Sequence, residues 1–421
     1  MKLWVCIFLL WIHTLYAGFF FPDKKPVLRE GPRMDITYEK SEAFSLLNEI
    51  REAMGMNTLS YNEQLTHAAQ AHADYLIRNH TDSHDEVTGL PEFTGVKPVD
   101  RAWHAGYLSS QVSENLSTQN RSAKESIDGL FSAIYHRFGF LDVSIDEIGV
   151  GVTQDAREVK YTAFVYLMGN SALNALCHDS PFKGYGYYVY HVCRDQEHRI
   201  SQKHFDKAKN SSKWLNPKII LYPYDGQEDV PPAFYAEIPD PLPDYDVSGF
   251  PVSVIFNEYF FHKVKLKSFD LYDDTGKKVT PVRVLSHETD PHKKFTRYQF
   301  ALFPLKRLKY DTEYHARVIY TYKKRKYEKR WSFHTRKPLE QLIRISKPQE
   351  TVILEKGKSY LLYFVPLDAH DVLKDIVFPD DIDLSFIDNN TLKIKIDSGD
   401  IDDFTLRSGK RVLHVKMKDS Y

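Results

Sequence analysis

Two histidines and two glutamates are the side chains of this sequence best suited to chemistry. They are His84, Glu114, His136 and Glu147, in that order along the chain. Imidazole and carboxylate groups bind divalent cations and move protons near neutral pH. Two neutral imidazoles with a water molecule would form an open zinc site, and a carboxylate beside that water would serve as its base. The sequence therefore predicts a polar cavity that unites these side chains.

Helical spacing of apolar residues indicates the elements that carry them. The pattern predicts three helices and then two strands, at about residues 40–54, 62–79, 123–135, 149–153 and 161–168. Ser41 is the predicted N-cap of the first helix, and Gly55 is its predicted stop. Helices followed by strands in one block predict an α+β domain over residues 39–170.

These predicted elements place the four side chains where they can face a cleft. His84 follows the second helix, and Glu114 is expected in a polar loop before the third helix. His136 is expected at the end of the third helix, where the dipole favours a charged imidazole. Glu147 follows eleven residues later, across a chain reversal that can return it to His136.

Length and composition are typical of a globular chain with several domains. The 421 residues suggest about two to four domains, and 42% of them are hydrophobic and 27% charged. The formal net charge is −1, and the short basic run at residues 323–326 is interpreted as a solvated strand or turn, with contact to an acidic polymer as the alternative. Nucleic acid is therefore not an expected partner, because phosphate binding needs a dominant basic stripe.

The first residues are typical of an export signal. Lys2 gives a positive start, residues 3–16 form an apolar run, and Ala17 offers a small side chain to a signal peptidase. The run is shorter than the roughly 20 residues that span a bilayer, so cleavage is expected, with an uncleaved anchor as the alternative. We therefore expect a secreted protein, extracellular or periplasmic, with no stable membrane span after signal removal.

The cysteines indicate the redox environment. Cys6 lies inside the predicted signal, which leaves Cys177 and Cys193 in the mature chain. One pair in an exported protein predicts a disulfide that closes a loop of about 15 residues and contributes about 3 kcal/mol. Two separate free thiols are the alternative.

The remaining segments predict a chain of β units. Residues 171–245 contain the cysteine pair and a proline-rich stretch that predicts a stiff connector. Strand-like runs without helical spacing predict an Ig-like β-sandwich at residues 246–337. Alternating runs predict a small C-terminal β unit at residues 338–421. Residues 1–17 are interpreted as the signal peptide and residues 18–38 as a leader.

A set of short motifs runs through the first domain. They are Leu47-Asn48-Glu49-Ile50-Arg51, the alanine-rich helix Ala68 to Ala73, Ser83-His84, Asp100-Arg101-Ala102, Ala105-Gly106-Tyr107, Ser113-Glu114-Asn115-Leu116, His136-Arg137 and Glu147-Ile148-Gly149-Val150-Gly151. This ordered set resembles the CAP superfamily, the fold of cysteine-rich secretory proteins, insect-venom antigens and plant pathogenesis-related proteins. Its spacing looks most like the bacterial branch. The resemblance covers less than a third of the 421 residues.

The resemblance implies an α-β-α sandwich with a shallow cleft. Family members present two histidines and two acids there, and some bind a divalent cation such as zinc. By position, His84 and His136 match the histidines, and Glu114 matches the acid of the central motif. Ala133 occupies the place of a helical glutamate of eukaryotic members, so Glu147 is the residue that would take over that role.

Each candidate also has a structural interpretation that the sequence leaves open. His84 can be a plain loop residue, and Glu114 can hold backbone amides. His136 can be a charge partner at a helix end, and Glu147 can be a structural acid. Asn115 is better explained by local hydrogen bonds than by chemistry.

Three functions are compatible with these patterns. The first is a secreted binding module for a lipid, an envelope component or another protein, with a cleft that holds a divalent cation. The second is a metal-dependent, peptidase-like hydrolase with His84 and His136 as ligands and Glu114 or Glu147 as the base. The third is a structural cell-envelope protein with a vestigial cleft. The sequence carries no signal for an oligomeric state.

Overall fold

The computed structural model describes residues 33–379, 382–396 and 403–418. The predicted signal peptide and most of the predicted leader lie outside these residues. Across the described ranges, every helix is too short or too polar to cross a membrane.

The first unit is a four-stranded sheet between two layers of helices. Its elements are α1 (Ile36–Ala53), β1 (Ser60–Tyr61), α2 (Glu63–Asn79), α3 (Pro98–His104), β2 (Ser113–Thr118), α4 (Ala123–Ser132), α5 (Ile134–Phe140), β3 (Glu147–Gln154) and β4 (Thr162–Gly169). The strand order is β1-β3-β4-β2, with β1 parallel to β3 and the other neighbours antiparallel. The α-β-α sandwich is therefore confirmed.

Strand β4 shows how the three layers are held together, because its alternate side chains point to opposite faces. Those in the core with α2 are small or aliphatic: Ala163, Val165 and Leu167. Those in the core with α1 and α4 are larger: Phe164, Tyr166 and Met168. The strand is buried on both faces, which explains its continuous apolar run.

Two glycines of β3 set the distance between the sheet and helix α2. A Cβ atom on Gly149 would overlap the backbone of Leu65, and one on Gly151 would overlap the backbone of Ala69. Helix α2 lies directly on the strand because both residues lack a side chain.

The first helix starts earlier than the sequence predicted. Helix α1 begins at Ile36, since the Asp35 side chain accepts a hydrogen bond from the Tyr38 N–H and caps the helix there. The expected N-cap, Ser41, is inside the helix. Gly55 follows the helix end with φ of 71°, as its predicted role as a stop requires.

Two site residues lie on different elements from those predicted. The expected third helix breaks at Ala133, whose extended backbone separates α4 from α5. His136 therefore lies in the first turn of α5, and the prediction that it ends a helix is wrong. Glu114 is on strand β2, where main-chain pairing with β4 replaces the expected loop.

A small disulfide-bonded segment follows the first unit. It contains α6 (Ser171–His178), β5 (Tyr188–Val189), β6 (Ile200–Ser201), α7 (Gln202–Lys209) and a 3₁₀ turn (Lys213–Leu215). Cys177 and Cys193 are bonded, with their Cα atoms 5.5 Å apart, as the sequence predicted. Both are buried in a separate small apolar core that includes Leu173, Val192 and Ile200.

The next unit is a β-sandwich of two four-stranded sheets, ordered β13-β14-β11-β7 and β12-β15-β16-β8, with a two-stranded extension of β9 and β10. The strands are β7 (Ile219–Tyr222), β8 (Gln227–Val230), β9 (Ala233–Tyr235), β10 (Val247–Gly249), β11 (Val252–Phe256), β12 (Val264–Asp273), β13 (Val282–Leu285), β14 (Gln299–Pro304), β15 (Glu313–Tyr322) and β16 (Arg325–Thr335). The sandwich begins well before the expected boundary at residue 246. Pro231 and Pro232 lie between β8 and β9, where no ladder hydrogen bond is lost, so the proline-rich stretch still contributes strands.

The C-terminal unit is a second, smaller β-sandwich. Its strands are β17 (Gln341–Ile345), β18 (Gln349–Glu355), β19 (Ser359–Phe364), β20 (Asp383–Asp388), β21 (Thr391–Lys395), β22 (Phe404–Ser408) and β23 (Arg411–Lys418). The sheets are ordered β17-β19-β21-β20 and β18-β23-β22. The buried apolar residues of this unit form a cluster of their own.

The first unit and the first sandwich share one continuous apolar cluster. Phe131 packs on Tyr222 with ring centroids 4.8 Å apart, and Phe138 packs on Phe295 at 4.9 Å. Both contacts join helices α4 and α5 to the sandwich. The elements that carry His136 are therefore held by two units at once.

Candidate functional site

Three of the four predicted site residues line one cavity of about 390 Å³. They are His84, Glu114 and His136. The rings of the two histidines face each other with centroids 6.2 Å apart and planes 26° apart. The structure thus brings together residues that are far apart in the sequence, whereas Glu147 does not line this cavity.

Glu114 fixes the orientation of His84. Glu114 Oε1 accepts a hydrogen bond from His84 Nδ1 at 2.9 Å, and Arg101 Nη2 donates to both carboxylate oxygens at 2.9 and 2.7 Å. Burial acts to raise the pKa of Glu114, but the His84 hydrogen bond and the Arg101 charge outweigh it, so the pKa is lowered. Glu114 is therefore ionised and accepts the Nδ1 proton of His84, so the neutral form of His84 has its lone pair on Nε2.

Asn115 does the same for His136. Asn115 Nδ2 donates to the His136 carbonyl at 2.8 Å, so its Oδ1, 3.1 Å from His136 Nδ1, is the acceptor for the ring N–H. Gly139 permits this approach, since a Cβ there would lie 3.0 Å from Asn115 Oδ1. The local hydrogen bonds expected of Asn115 thus set the tautomer of His136.

Burial lowers the pKa of His136 to about 4, and the charges of His84 and Lys294 act in the same direction. His136 is therefore neutral at pH 7, with a lone pair on Nε2. The sequence-based expectation of a charged imidazole at a helix end is wrong, because the ring lies in a first turn and is shielded from water.

A buried layer of ionisable side chains under the cavity was missed by sequence reasoning. His72 Nδ1 lies 2.9 Å from Glu86 Oε1, and His72 Nε2 lies 3.8 Å from Glu114 Oε1. His72, Glu86 and Arg101 are each at most 2% exposed. The spacing of His72 from the inward-facing Ala69, three residues earlier, is the signal that places it on the buried face of α2.

Glu147 is held elsewhere in the domain. Tyr107 donates its hydroxyl to Glu147 Oε1 at 2.6 Å, and Asn62 Nδ2 donates to Oε2 at 2.9 Å. Asn62 is also the N-cap of α2, so these bonds join the start of that helix to β3. Burial raises the pKa of Glu147. Of the two roles that the sequence left open, these contacts favour the structural one.

The opposite wall of the cavity comes from outside the first unit. Its residues belong to the segment after β9, to the loop before β14 and to the first position of β14: Ile238, Pro239, Lys294, Thr296 and Gln299. Sequence reasoning gave no indication of this wall, because these residues follow His136 by about a hundred positions or more and share no motif.

The donor set of the cavity fits a divalent cation in part. Imidazole Nε2 is a common ligand, and a ring whose other nitrogen donates to a carboxylate or amide oxygen is the usual arrangement. Catalytic zinc sites use three protein ligands. Within the described residues, no group of three or more His, Cys, Asp or Glu side chains is placed to hold a metal. His84 and His136 would therefore supply two ligands, with water or a bound molecule completing the shell.

The sequence model of one family matches this region. It is described as "CAP: Cysteine-rich secretory protein family" and matches residues 44–168, which include His84, Glu114 and His136. A comparison with curated proteins returned no match.

Several solved structures are similar over a third of the chain. An outer surface protein from Borrelia burgdorferi is 19% identical, with 33% of this chain and 97% of that chain covered and a TM-score of 0.29. An extracellular protein containing a SCP domain from Bacillus anthracis is 21% identical, with 33% and 45% covered and a TM-score of 0.28. A cysteine-rich secretory protein from Staphylococcus aureus is 17% identical, with 33% and 41% covered and a TM-score of 0.21. The chain spans less than half the length of the last two.

Proposed function

Because residues 44–168 form a domain of the CAP superfamily, we propose that this protein is an extracellular binding module whose cleft takes a divalent cation between His84 and His136. One observation carries the proposal. Each ring has its Nδ1 engaged by a protein acceptor, which leaves Nε2 as the available nitrogen of both histidines in one cavity. Such outer partners orient metal-binding histidines and raise their basicity.

An extracellular location is supported by the disulfide. Bonds such as Cys177–Cys193 form and persist in oxidising compartments and are rare in the cytosol. The predicted export signal at residues 1–17 points the same way.

Binding is favoured over hydrolysis because the cavity lacks a suitable base among the predicted acids. Both oxygens of Glu114 accept hydrogen bonds from Arg101, and the pKa of Glu114 is lowered. A carboxylate held in this way is a weak proton acceptor. Glu147 lies outside the cavity.

Calorimetric titration of the purified full chain with Zn²⁺ tests the proposal. We expect one site per chain, lost or weakened at least tenfold in His84→Ala and in His136→Ala. Asn115→Leu removes the acceptor for the His136 ring N–H and is expected to weaken binding by about 10–100-fold. His67→Ala is the matched control, since the His67 side chain is on α2 and is 67% exposed.

Two results would contradict the proposal. The first is no Zn²⁺ binding, or binding that both histidine variants leave unchanged. The second is cleavage of a peptide library by the Zn²⁺-loaded protein that disappears in His136→Ala, which would support the hydrolase hypothesis instead.

A further inference from the structure

The cleft is closed on one side by a loop of the first sandwich that packs against the helix of His136. This loop, residues 286–298, lies between β13 and β14 and is called the rim loop below. Phe295 packs edge-on against Tyr135 and Phe138, which flank His136 on α5, with centroid distances of 5.8 and 4.9 Å. The loop is thus seated on the element that carries a site histidine.

A buried carboxylate holds the rim loop in this position. Asp290 is fully buried, and its Oδ2 accepts hydrogen bonds from the backbone N–H groups of Lys294 and Phe295, at 2.5 and 2.9 Å. Its Oδ1 accepts the hydroxyl of Tyr135 from the first unit. The Asp290 side chain therefore fixes both the backbone of Lys294 and Tyr135, the neighbour of His136. The rim loop is thus held in place as a wall of the cavity.

Lys294 brings a positive charge to this wall. It lines the cavity with His84 and His136, and none of the described carboxylates lies within ion-pair distance of its ammonium group. The acid on the opposite wall, Glu114, is already paired with Arg101. The remaining polar groups at this side are Thr296 and Gln299, which can donate hydrogen bonds.

We propose that Lys294 makes the cleft selective for a ligand that carries an oxyanion, a carboxylate or a phosphate, bound between the rim loop and the two histidines. The proposal deepens the function proposed above, because it takes the same cleft as the binding site. An anion in a partly enclosed cavity gains a charge-assisted hydrogen bond from an ammonium group. The apolar Ile238 and Phe138 beside it would contact the uncharged part of such a ligand.

The test uses the metal-free full chain, titrated in separate experiments with inorganic phosphate and with succinate at low ionic strength. We expect Lys294→Met, which removes the ammonium group and keeps the unbranched stem of the side chain, to weaken binding about tenfold. Lys293→Met is the matched control, since Lys293 is its neighbour on the rim loop and donates instead to the Glu288 carbonyl. The tighter of the two probes identifies the kind of oxyanion.

The failure of this inference is distinguishable from the failure of the metal site. The oxyanion proposal would be overturned if Lys294→Met bound each probe as tightly as the wild type does, or if neither probe bound at all. Either result would count even where Zn²⁺ binds. Oxyanion binding that depends on Lys294 in a protein that binds no Zn²⁺ would support it while removing the cation. A third variant, Lys294→Glu, is expected to abolish oxyanion binding and to strengthen that of Zn²⁺. Because Lys294 is exposed, we expect each variant to keep the thermal unfolding curve of the wild type, which checks that the variant folds.

Discussion

The first sandwich meets its two neighbours through interfaces of different chemistry. Toward the CAP domain it shares one buried apolar cluster, with Phe131 against Tyr222 as an example. Toward the C-terminal unit the contact centres on an ion pair, in which Arg307 donates to both oxygens of Asp388 at 2.8 and 2.6 Å. Tyr235 adds a hydrogen bond to the same carboxylate at 2.7 Å.

This difference indicates which units act together. A continuous apolar core holds two units in one relative position, because separating them would expose its whole surface to water. The cleft needs that position, since one of its walls belongs to each unit. The C-terminal unit has its own core among the described residues and contributes no lining residue to the cleft. The CAP domain and the first sandwich are therefore expected to unfold together, with the C-terminal unit separable.

The largest expected effect comes from Arg137→Met at the apolar interface. Arg137 is fully buried and donates to the carbonyls of Phe131 and Pro251 and to the Ser253 hydroxyl. Methionine would leave these acceptors unpaired, so we expect the free energy of unfolding of the joined units to fall by about 3 kcal/mol, measured by urea titration. Cleft binding should weaken too. The exposed Arg297→Met is the control, and an unchanged unfolding curve for Arg137→Met would contradict the joint-unit interpretation.

A smaller and local effect is expected from Asp388→Asn at the polar interface. The substitution leaves the buried Arg307 guanidinium without its counter-charge, which costs about 2 kcal/mol. Hydrogen exchange should speed up in strands β17–β23 and at Tyr235, while Zn²⁺ binding at the cleft stays unchanged. The exposed Asp274→Asn is the control. Loss of cleft binding in Asp388→Asn would show that the C-terminal unit is not separable.

The smallest expected effect is a pH dependence at the apolar interface. Burial raises the pKa of Glu237 to about 8, the charge of Asp240 adds to this shift, and that of Arg137 opposes it. The folded state thus keeps a proton that the unfolded chain releases from about pH 4.5 upward, so stability falls as the pH rises through about 8. Glu237→Gln stays neutral and keeps an oxygen for the Ile134 N–H.

Glu237→Gln should therefore flatten the pH profile and be the more stable protein at pH 8, by about 1 kcal/mol. Urea unfolding at pH 5, 6.5 and 8 measures this. Glu52→Gln, on the exposed side of α1, should leave the profile as it is in the wild type. Parallel profiles for Glu237→Gln and the wild type would show that Glu237 is ionised throughout.

Local sequence patterns were sufficient to predict the helical and sheet layers of the first domain. Apolar spacing located α2 within one residue, and the alternation of β4 reflects burial on both faces. The break at Ala133 was not visible, because Ile127, Leu130 and Ile134 continue a helical spacing across it. What turns the chain there is a long-range contact, since Glu237 accepts the N–H of Ile134.

Only the wall of the candidate site that the CAP domain supplies was predictable from the sequence. His84, Glu114 and His136 belong to motifs with a fixed order, and the structure brings them into one cavity. Lys294 lies in a loop of another unit, and nothing in its neighbourhood along the sequence distinguishes it from other exposed lysines. Its place at the cleft depends on Asp290 and Tyr135, which are 155 residues apart.

Two glycines of β3 make the geometry of the cleft sensitive to substitutions outside it. Gly149 and Gly151 leave no clearance between the strand and helix α2, and that helix carries His72 and leads directly into the loop of His84. Even one methyl group at either glycine would push helix α2 away from the strand as one body. A substitution at either glycine, although it lies outside the cavity, would thus displace the imidazole of His84.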